Sequence, residues 1–237
     1  GIAAGGTVME DCRVLEACRE GKYTSVLVQT HDKKYVEYRT EHFVNALGSG
    51  AGKLCDSMGI DAGLYPVRHQ AFITRRLPML GKHGTNLDML IDRQDYKGFS
   101  AVYGQQIAYT GQIIGCASPK LDAMRIDKNL KVNTKAFLEI VSEMFSEWIP
   151  DLAGVGIQAV WAGYYTEPRY IVDPELGLFV GMRGHGFMLS QYIARMYVDK
   201  LLGRPVPEYF EKLSDVKMPA TKLELLVKML RKQIKEY

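Results

Sequence analysis

The chain has 237 residues, of which 47% are hydrophobic and 24% are charged, the composition of an ordinary folded protein without low-complexity tracts. Its 30 basic and 27 acidic side chains leave a net charge of +3, too small and too evenly spread for a nucleic-acid-binding surface. No apolar run approaches the roughly 20 residues that span a bilayer, and no signal segment is recognised, so neither a transmembrane helix nor a signal peptide is predicted.

The cysteines and histidines indicate neither disulfides nor a metal site. The four cysteines, which have neither C-x-x-C spacing nor the density of a disulfide scaffold, are Cys12, Cys18, Cys55 and Cys116. We therefore expect packed thiols in a reducing compartment and predict a cytoplasmic location. Among the five histidines, no pair at metal-ligand spacing has a third ligand nearby, so no metal is expected.

The N-terminal part of the chain is predicted to form strands that lead into a glycine-rich turn. Two β-runs over 24–29 and 35–38 flank the polar turn 31–34. An apolar run over 43–47 is predicted as a further strand, which delivers the backbone to the turn 48–52. Glycine-rich turns of this kind let main chain approach a ligand closely.

The middle of the chain is predicted to be rich in strands. The run 66–75 alternates as a strand does, and 89–91 is short enough for a buried strand. Over 134–148 apolar residues recur at helical spacing, and Asn133 and Pro150 are stop signals at the two ends. We therefore predict a helix over 134–148.

The C-terminal part is predicted as a strand followed by helices. A short strand over 177–182 runs into the turn 183–187, and the helix after it closes near Gly203. A last amphipathic helix is predicted over 221–237. Its basic residues predict a solvated face, with a membrane-surface or partner-binding role as the alternative. Its apolar stripe needs a partner surface, either in the same chain or in an oligomer.

The turn around His185 carries the strongest chemical signal. Gly184 and Gly186 permit a tight turn, and the helix that follows presents unpaired backbone N–H groups and the positive end of its dipole. An anionic or electron-rich group is the natural ligand of such a helix start. The alternative is a structural turn in which His185 caps the helix or packs.

Two parts of the sequence resemble one family of flavoenzymes. The Trp-Ala-Gly-Tyr-Tyr-Thr stretch at 161–166 and the Gly-His-Gly-Phe turn at 184–187 resemble the C-terminal signature of the glycine oxidase and sarcosine oxidase group of the D-amino-acid oxidase superfamily. Upstream, 43–50 resembles the family's Asn-Ala-x-Gly turn near the cofactor. The stretch 65–70 resembles the Pro-x-Arg-x-Gln segment that opens its substrate domain. The resemblance covers most of residues 1–205.

The resemblance implies an α+β fold, α/β overall, with two interleaved domains. Residues 1–60 and 174–205 would be the remainder of an FAD-binding domain. Residues 61–173 would form a substrate-binding domain, an antiparallel sheet flanked by helices that covers the flavin ring. Residues 206–237 would be a C-terminal extension with an amphipathic helix.

The resemblance also implies site residues for a non-covalent FAD and an amine substrate. The expected cofactor-binding residues are Ala46, Gly48, Gly184, His185, Gly186, Phe187 and Met188. The expected substrate-binding residues are Arg68, Tyr103 and Tyr165, and the expected catalytic residues are Tyr165, Arg183 and His185. Non-covalent binding is expected because no cysteine stands near Tyr164 or Tyr165 in the sequence.

The sequence departs from the family at three places. The N-terminal βαβ unit with its G-x-G-x-x-G motif is absent. Tyr165 stands where glycine and D-amino-acid oxidases have a carboxylate-clamping arginine, and Met188 stands where sarcosine oxidases have a lysine. Neither side chain offers a cationic donor to a carboxylate, so that role would have to pass to Arg68, Arg169 or Arg183.

Two functions therefore stay open. The first is an FAD-dependent oxidoreductase, dehydrogenase or oxidase, that transfers a hydride from the C–N carbon of an amine or amino acid to flavin, here as a partial chain. The alternative is a non-catalytic fragment, or a subunit that completes its flavin site only with a second polypeptide. The tyrosines considered for an aromatic substrate cage, with half-buried packing as the alternative, are Tyr103, Tyr109, Tyr164 and Tyr165.

Overall fold

The computed structural model describes residues 2–81, 86–94, 99–119, 130, 134–167 and 170–213. The chain divides into two compact units, unit 1 from Gly1–Tyr65 with Thr166–Tyr237 and unit 2 from Pro66–Tyr165. The domain limits expected from the sequence, between 60 and 61 and between 173 and 174, stay predictions, as do the flavin and substrate roles of the units.

The fold is α+β. In chain order the strands are β1 Arg13–Glu20, β2 Tyr23–Gln29, β3 Tyr35–Thr40, β4 Tyr65–Thr74, β5 Leu90–Asp92, β6 Phe99–Gln106, β7 Ile113–Pro119, β8 Ile157–Glu167, β9 Ile171–Asp173 and β10 Leu178–Val180. The helices are α1 Ala51–Ser57, α2 Thr134–Trp148, α3 Gly186–Leu201 and α4 Glu208–Glu211. Short 3₁₀ segments occupy Ile2–Ala4, Gly48–Gly50, Pro150–Leu152 and Arg183–His185.

Unit 1 contains the three-stranded antiparallel sheet β1-β2-β3 and the antiparallel pair β9-β10. The two strands predicted over 24–29 and 35–38 are confirmed as β2 and β3. The central strand β2 is the most buried of the three, and its residues Val26 and Val28 enter a core with Leu54 and Leu178. That core joins the sheet to α1 and to β10.

The strand predicted over 43–47 is wrong in extent, because only Asn45 pairs, in an isolated parallel bridge with Leu178. The side chain of Asn45 explains why pairing stops there. Its Oδ1 accepts a hydrogen bond from the backbone N–H of Leu47 at 3.3 Å, and its Nδ2 donates to the carbonyl of Ala51 at 3.1 Å. These local bonds favour a turn over a strand.

The helix predicted after the turn at 183–187 is confirmed as α3, and the preceding strand is confirmed in shorter form as β10. The helix buries Ile193, Met196 and Tyr197 against Val172 and Phe210. Its end is marked by Gly203, which has the left-handed φ of +69° that favours glycine after a helix.

Tyr197→Phe is expected to raise the free energy of unfolding by about 1 kcal/mol at pH 8, because burying a hydroxyl that makes no hydrogen bond is costly. Tyr197 is only 4% exposed, and within the described part of the chain its Oη has no hydrogen-bond partner. Burial, helped by the charge of Asp173, raises the pKa of Tyr197 to about 12.

The alkaline limb of the stability curve tests this assignment. Above the ordinary tyrosine pKa of about 10 the unfolded chain loses a proton that native Tyr197 keeps, so wild-type stability falls as pH rises toward 12. The advantage of Tyr197→Phe should therefore grow between pH 8 and pH 11 in urea unfolding followed by circular dichroism. A variant less stable than wild type at both pH values would refute it.

Unit 2 is built on a five-stranded sheet in the order β5-β6-β7-β4-β8, with antiparallel pairing from β5 through β4. The strand predicted over 66–75 and the helix predicted over 134–148 are confirmed as β4 and α2. The helix packs its apolar face on one side of the sheet, where the Phe72 ring lies 6.1 Å from Phe137 and 5.7 Å from Phe145. Asn133 lies outside the described residues.

The buried strand predicted over 89–91 is wrong in its burial and shifted by one residue. It forms β5, at the edge of the sheet, where Met89 is 48% exposed and Ile91 is 60% exposed. A short apolar run does not by itself distinguish an edge strand from a central one.

No helix in the described part of the chain is both long enough and apolar enough to cross a membrane. The helix predicted over 221–237, with its basic face and apolar stripe, lies outside the described residues.

Candidate functional site

The parallel bridge at Asn45 brings together, within unit 1, the two segments expected to contact a cofactor. The N–H of Asn45 donates to the carbonyl of Gly177 at 2.8 Å, and the N–H of Phe179 donates to the carbonyl of Asn45 at 3.0 Å. Because the two segments run parallel, the turn after Asn45 and the turn after β10 leave at the same end. Ligands of parallel β–α arrangements bind at this carboxyl end.

The first of these turns exposes Ala46 and Gly48. Gly48 has a φ of +54°, and a Cβ built on it would meet nothing within 4 Å. The glycine therefore serves backbone conformation, and main chain is open to a ligand on that side. Asn45, which is 1% exposed, anchors the turn from below through its side chain.

The second turn differs from the predicted two-glycine turn. The left-handed residues are Gly181, with φ +70°, and Arg183, with φ +51°. Gly186 serves packing instead, because a Cβ there would lie 3.0 Å from Cβ of Met182. The strained Arg183 backbone is held by an ion pair, with Nε 2.8 and 2.7 Å from the two carboxylate oxygens of Glu167.

His185 occupies the N-cap position of α3 but makes no side-chain cap hydrogen bond. Its Nδ1 lies 2.8 Å from Oη of Tyr170, which holds the ring and leaves Nε2 as the nitrogen directed elsewhere. Tyr170 and Glu167 were missed by sequence reasoning, because each is an ordinary residue of a strand end that gains a role only through a contact across the fold.

The start of α3 is open to an electron-rich group. Its first turn contains no acidic residue, and no side chain caps it. Phe187 is 98% exposed and Met188 is 67% exposed, so an apolar surface adjoins the free N–H groups. This combination of helix N–H groups, helix dipole and apolar surface suits a flat ligand with a polar edge.

Unit 2 gathers a second cluster on its sheet. The His69 and Tyr165 rings stack with centroids 3.9 Å apart and planes at 29°. Tyr103 lies beside both Tyr165 and Cys116, and burial, the largest cause, raises the pKa of all three groups above their ordinary values. His69 and Cys116 were not predicted, since they lie far from the tyrosines in sequence.

Within unit 2, the structure does not bring Arg68 together with the other two expected substrate-binding residues. Arg68 is 7% exposed and shares the sheet side of Gln70 and Phe72, away from Tyr103 and Tyr165. Arg183 belongs to unit 1 and Tyr165 to unit 2. Arg169 lies outside the described residues.

Two further candidates for the aromatic cage lie elsewhere. Tyr109 is 82% exposed in the β6–β7 connection. Tyr164 alternates with Tyr165 on β8, and its buried Oη has no hydrogen-bond partner among the described residues. Only Tyr103 and Tyr165 of the four tyrosines meet in one described cluster.

Residues 2–200 match the family model described as FAD-dependent oxidoreductase, the DAO family. The chain belongs to this family. A search of curated protein sequences gave no match. The α+β fold of this DAO-family chain is similar to the folds of several solved flavoenzymes.

The structure resembles L-proline dehydrogenase from P. horikoshii with a TM-score of 0.67 and 26% identity, covering 90% of this chain and 55% of that one. For glycine oxidase from Geobacillus kaustophilus the TM-score is 0.63 and the identity is 18%, over 88% of this chain and 54% of that one. For iminodiacetate oxidase from Chelativorans sp. BNC1 the TM-score is 0.63 and the identity is 16%, over 90% of this chain and 55% of that one. This DAO-family chain therefore spans about half the length of these structures.

The residues of unit 1 fit a flavin. The open backbone at Ala46 and Gly48, the uncapped start of α3 and the exposed Phe187 offer hydrogen-bond donors and apolar surface at one end of the parallel segments. Cys116, which lies near Tyr165 in space although not in sequence, has a buried thiol of raised pKa and is a poor nucleophile. Within the described residues, no group of three His, Cys, Asp or Glu side chains is placed to hold a metal ion.

Proposed function

We propose that this DAO-family chain acts in an FAD-dependent oxidation of the carbon–nitrogen bond of an amine or amino acid. The single observation that carries the proposal is the parallel bridge between Asn45 and Leu178, because the turn at Ala46 and the turn that leads to α3 then leave two parallel segments at the same end. Three similar structures are named as enzymes of proline, glycine and iminodiacetate. These names support an amine or amino acid as the substrate class.

We assign the cofactor-binding role to two segments of unit 1. Ala46 and Gly48 would approach FAD through main chain, and Gly184 through Met188 would meet it at the start of α3. When bound, FAD supplies the acceptor for a hydride from the carbon next to nitrogen. Binding is proposed to be non-covalent, because the Cys116 thiol is buried and of raised pKa.

The chain's own residues stabilise charge and orient groups. The N–H groups of the first turn of α3, together with Nε2 of His185, would stabilise negative charge on an electron-rich ligand edge. Tyr170 orients His185 through the 2.8 Å contact between Oη and Nδ1. Arg183, whose charge is balanced by Glu167, is better placed to hold the turn than to clamp a substrate carboxylate.

The second candidate function is a subunit or fragment that completes its flavin site only with another polypeptide. The fact that favours it is the coverage of 54% to 55% of the similar structures. The four free thiols are consistent with a cytoplasmic location, which stays a prediction.

The variant Met188→Asp tests whether the start of α3 binds flavin or is only an uncapped helix end. A carboxylate in the first turn stabilises a helix by about 0.3–1 kcal/mol, yet it competes with an electron-rich ligand for the same N–H groups. We therefore expect the variant to be at least as stable as wild type and to retain at least about tenfold less FAD after gel filtration. The control is Gln191→Asp, at an exposed position of the same helix but beyond its first turn.

Absorption at the flavin band, before and after removal of unbound FAD, is the measurement. Equal FAD retention by wild type, Met188→Asp and Gln191→Asp would remove the α3 start from the site. A folded wild-type chain that retains no FAD would favour the second candidate function, and a second polypeptide carrying the nucleotide-binding unit should then restore the flavin band.

A further inference from the structure

The sheet of unit 2 has one face that α2 does not cover. Phe72, Val102 and Ala117 point to the side on which α2 packs. Their neighbours in the chain point to the opposite side, because successive side chains of a strand alternate. Tyr103 and Cys116 are directly opposite each other in the β6–β7 ladder and lie on this second side. We call it the aromatic face.

The aromatic face presents rings more than hydroxyl groups. The Tyr165 ring stacks on His69, and Tyr103, which lies beside Tyr165, is paired with Cys116 in the ladder between β6 and β7. The two tyrosines therefore lie together in one cluster with His69 and Cys116. On β8, Trp161 shares the side of Tyr165, four residues away, and is 42% exposed, so part of this face is open.

The strands that form this face carry very little charge. β6, β7 and the β8 residues 157–165 contain no Asp, Glu, Lys or Arg. The basic residues of β4 are Arg68, which points to the other side, and His69, which stacks on Tyr165. Since burial raises the pKa of Tyr103, Tyr165 and Cys116, these groups stay neutral at physiological pH.

We propose that the aromatic face is the substrate-binding surface and that it selects an amine with an apolar substituent and no carboxylate, with Tyr165 as the specificity-determining residue. This inference rests on the proposed function, and it narrows the substrate class from amines and amino acids to carboxylate-free amines.

The chemistry of the face decides between the two kinds of substrate. An ammonium group is attracted to the faces of tyrosine and tryptophan rings, and an apolar substituent gains by leaving water against them. A carboxylate brought to the same surface would lose its hydration without meeting a lysine or arginine on β6, β7 or residues 157–165 of β8, and the basic ring beside it, His69, is already stacked on Tyr165. The first substrate is therefore favoured by attraction and the second is opposed by desolvation.

The test compares two small probes that differ in the group in question. N-methylbenzylamine and N-methylglycine are titrated into the full chain, with and without FAD, and binding is followed by ligand-observed NMR. Wild type is expected to bind N-methylbenzylamine at least about tenfold more tightly. Tyr165→Arg, which adds a guanidinium to the face, is expected to reverse the order.

Two further variants keep the test sharp. Tyr165→Phe retains the ring that stacks on His69 and loses only the hydroxyl, so the wild-type preference should persist even if Tyr165→Arg fails to fold. Tyr109→Arg adds the same charge on an exposed connection outside the face and should leave the preference unchanged.

The inference is overturned if wild type binds N-methylglycine as tightly as N-methylbenzylamine, if neither probe binds, or if Tyr109→Arg reverses the order as Tyr165→Arg does. Because amine binding is read without flavin, the two ideas fail separately. A chain that keeps the amine preference but retains no FAD counts against the first proposed function, favours the second candidate function and leaves this inference standing. A chain that retains FAD but prefers N-methylglycine contradicts this inference alone.

Discussion

Gly177→Ala is expected to destabilise the chain by at least about 2 kcal/mol more than a matched glycine replacement, and to abolish FAD retention. Gly177 has a φ of +70°, and a Cβ on it would lie 2.5 Å from the carbonyl oxygen of Phe43. That oxygen belongs to backbone, so it cannot swing away as a side chain would. The chain before Asn45 would have to move away from β10.

Moving the chain at Phe43 away from Gly177 would break the adjoining bridge between Asn45 and Leu178. The carbonyl of Gly177 accepts the N–H of Asn45 at 2.8 Å, and this bond aligns the segment before the Ala46 turn with β10, which leads to α3. Displacing Phe43 breaks the alignment of the two segments that we propose to hold flavin. Stability and cofactor retention should therefore fall together.

Gly203→Ala is the matched control. Gly203 has nearly the same φ, +69°, but a Cβ there would meet nothing within 4 Å. Its replacement should cost only the backbone strain, about 1 kcal/mol, and FAD retention should survive. Urea unfolding and the flavin absorption band measure both effects, and equal losses in the two variants would show that the contact with Phe43 is not what requires glycine.

The regular elements were predictable from the sequence where one face is buried and the other is not. Helix α2 shows a 3.6-residue apolar period because Phe137, Val141 and Met144 all face the same sheet. Strand β4 alternates because every second residue from Arg68 to Thr74 is buried. In both cases the burial of successive side chains repeats with the period of the backbone, so the order of apolar and polar residues in the sequence shows the same period.

The errors occurred where a side chain or a position in the sheet overrides such a pattern. The apolar run at 43–47 looks like a strand, yet the amide of Asn45 bonds the backbone of its own turn. The edge position of β5 depends on the order of strands in the sheet, which the run Met89–Leu90–Ile91 does not encode.

The candidate site was predictable only in part, for a related reason. The family signature located the His185 turn and Tyr165, but the contacts that define their environments join residues far apart in sequence. Tyr170 meets His185 across 15 positions, and His69 stacks on Tyr165 across strands. The left-handed Arg183 was unforeseeable because non-glycine residues adopt that conformation only when surrounding contacts, here with Glu167, hold it.

Gly115→Ala is expected to destabilise unit 2 by about 3 kcal/mol, since overpacking a well-packed site of this kind costs about 1–3 kcal/mol and two contacts are violated here. A Cβ on Gly115 would lie 2.2 Å from the carbonyl oxygen of Tyr103 and 2.5 Å from the Phe72 ring. Strand β7 would have to part from β6, which also displaces Tyr103 from Cys116.

Gly163→Ala, in β8 of the same sheet, provides the control. A Cβ at Gly163 would meet nothing within 4 Å, so the replacement should be neutral or stabilise the strand by about 0.5–1 kcal/mol. The opposite signs expected for the two variants would exclude a general intolerance of the sheet to alanine. A Gly115→Ala chain as stable as Gly163→Ala would contradict the packing described for this core.

The double variant Gly115→Ala with Phe72→Leu shows which of the two contacts dominates. Leucine removes the ring atoms that the new Cβ would meet, whereas the Tyr103 carbonyl stays in place because it belongs to the ladder between β6 and β7. We therefore expect only partial recovery, with a coupling of about 0.5–3 kcal/mol between the two sites in urea unfolding. Full recovery would assign the need for glycine to the Phe72 ring, and none would assign it to the backbone of β6.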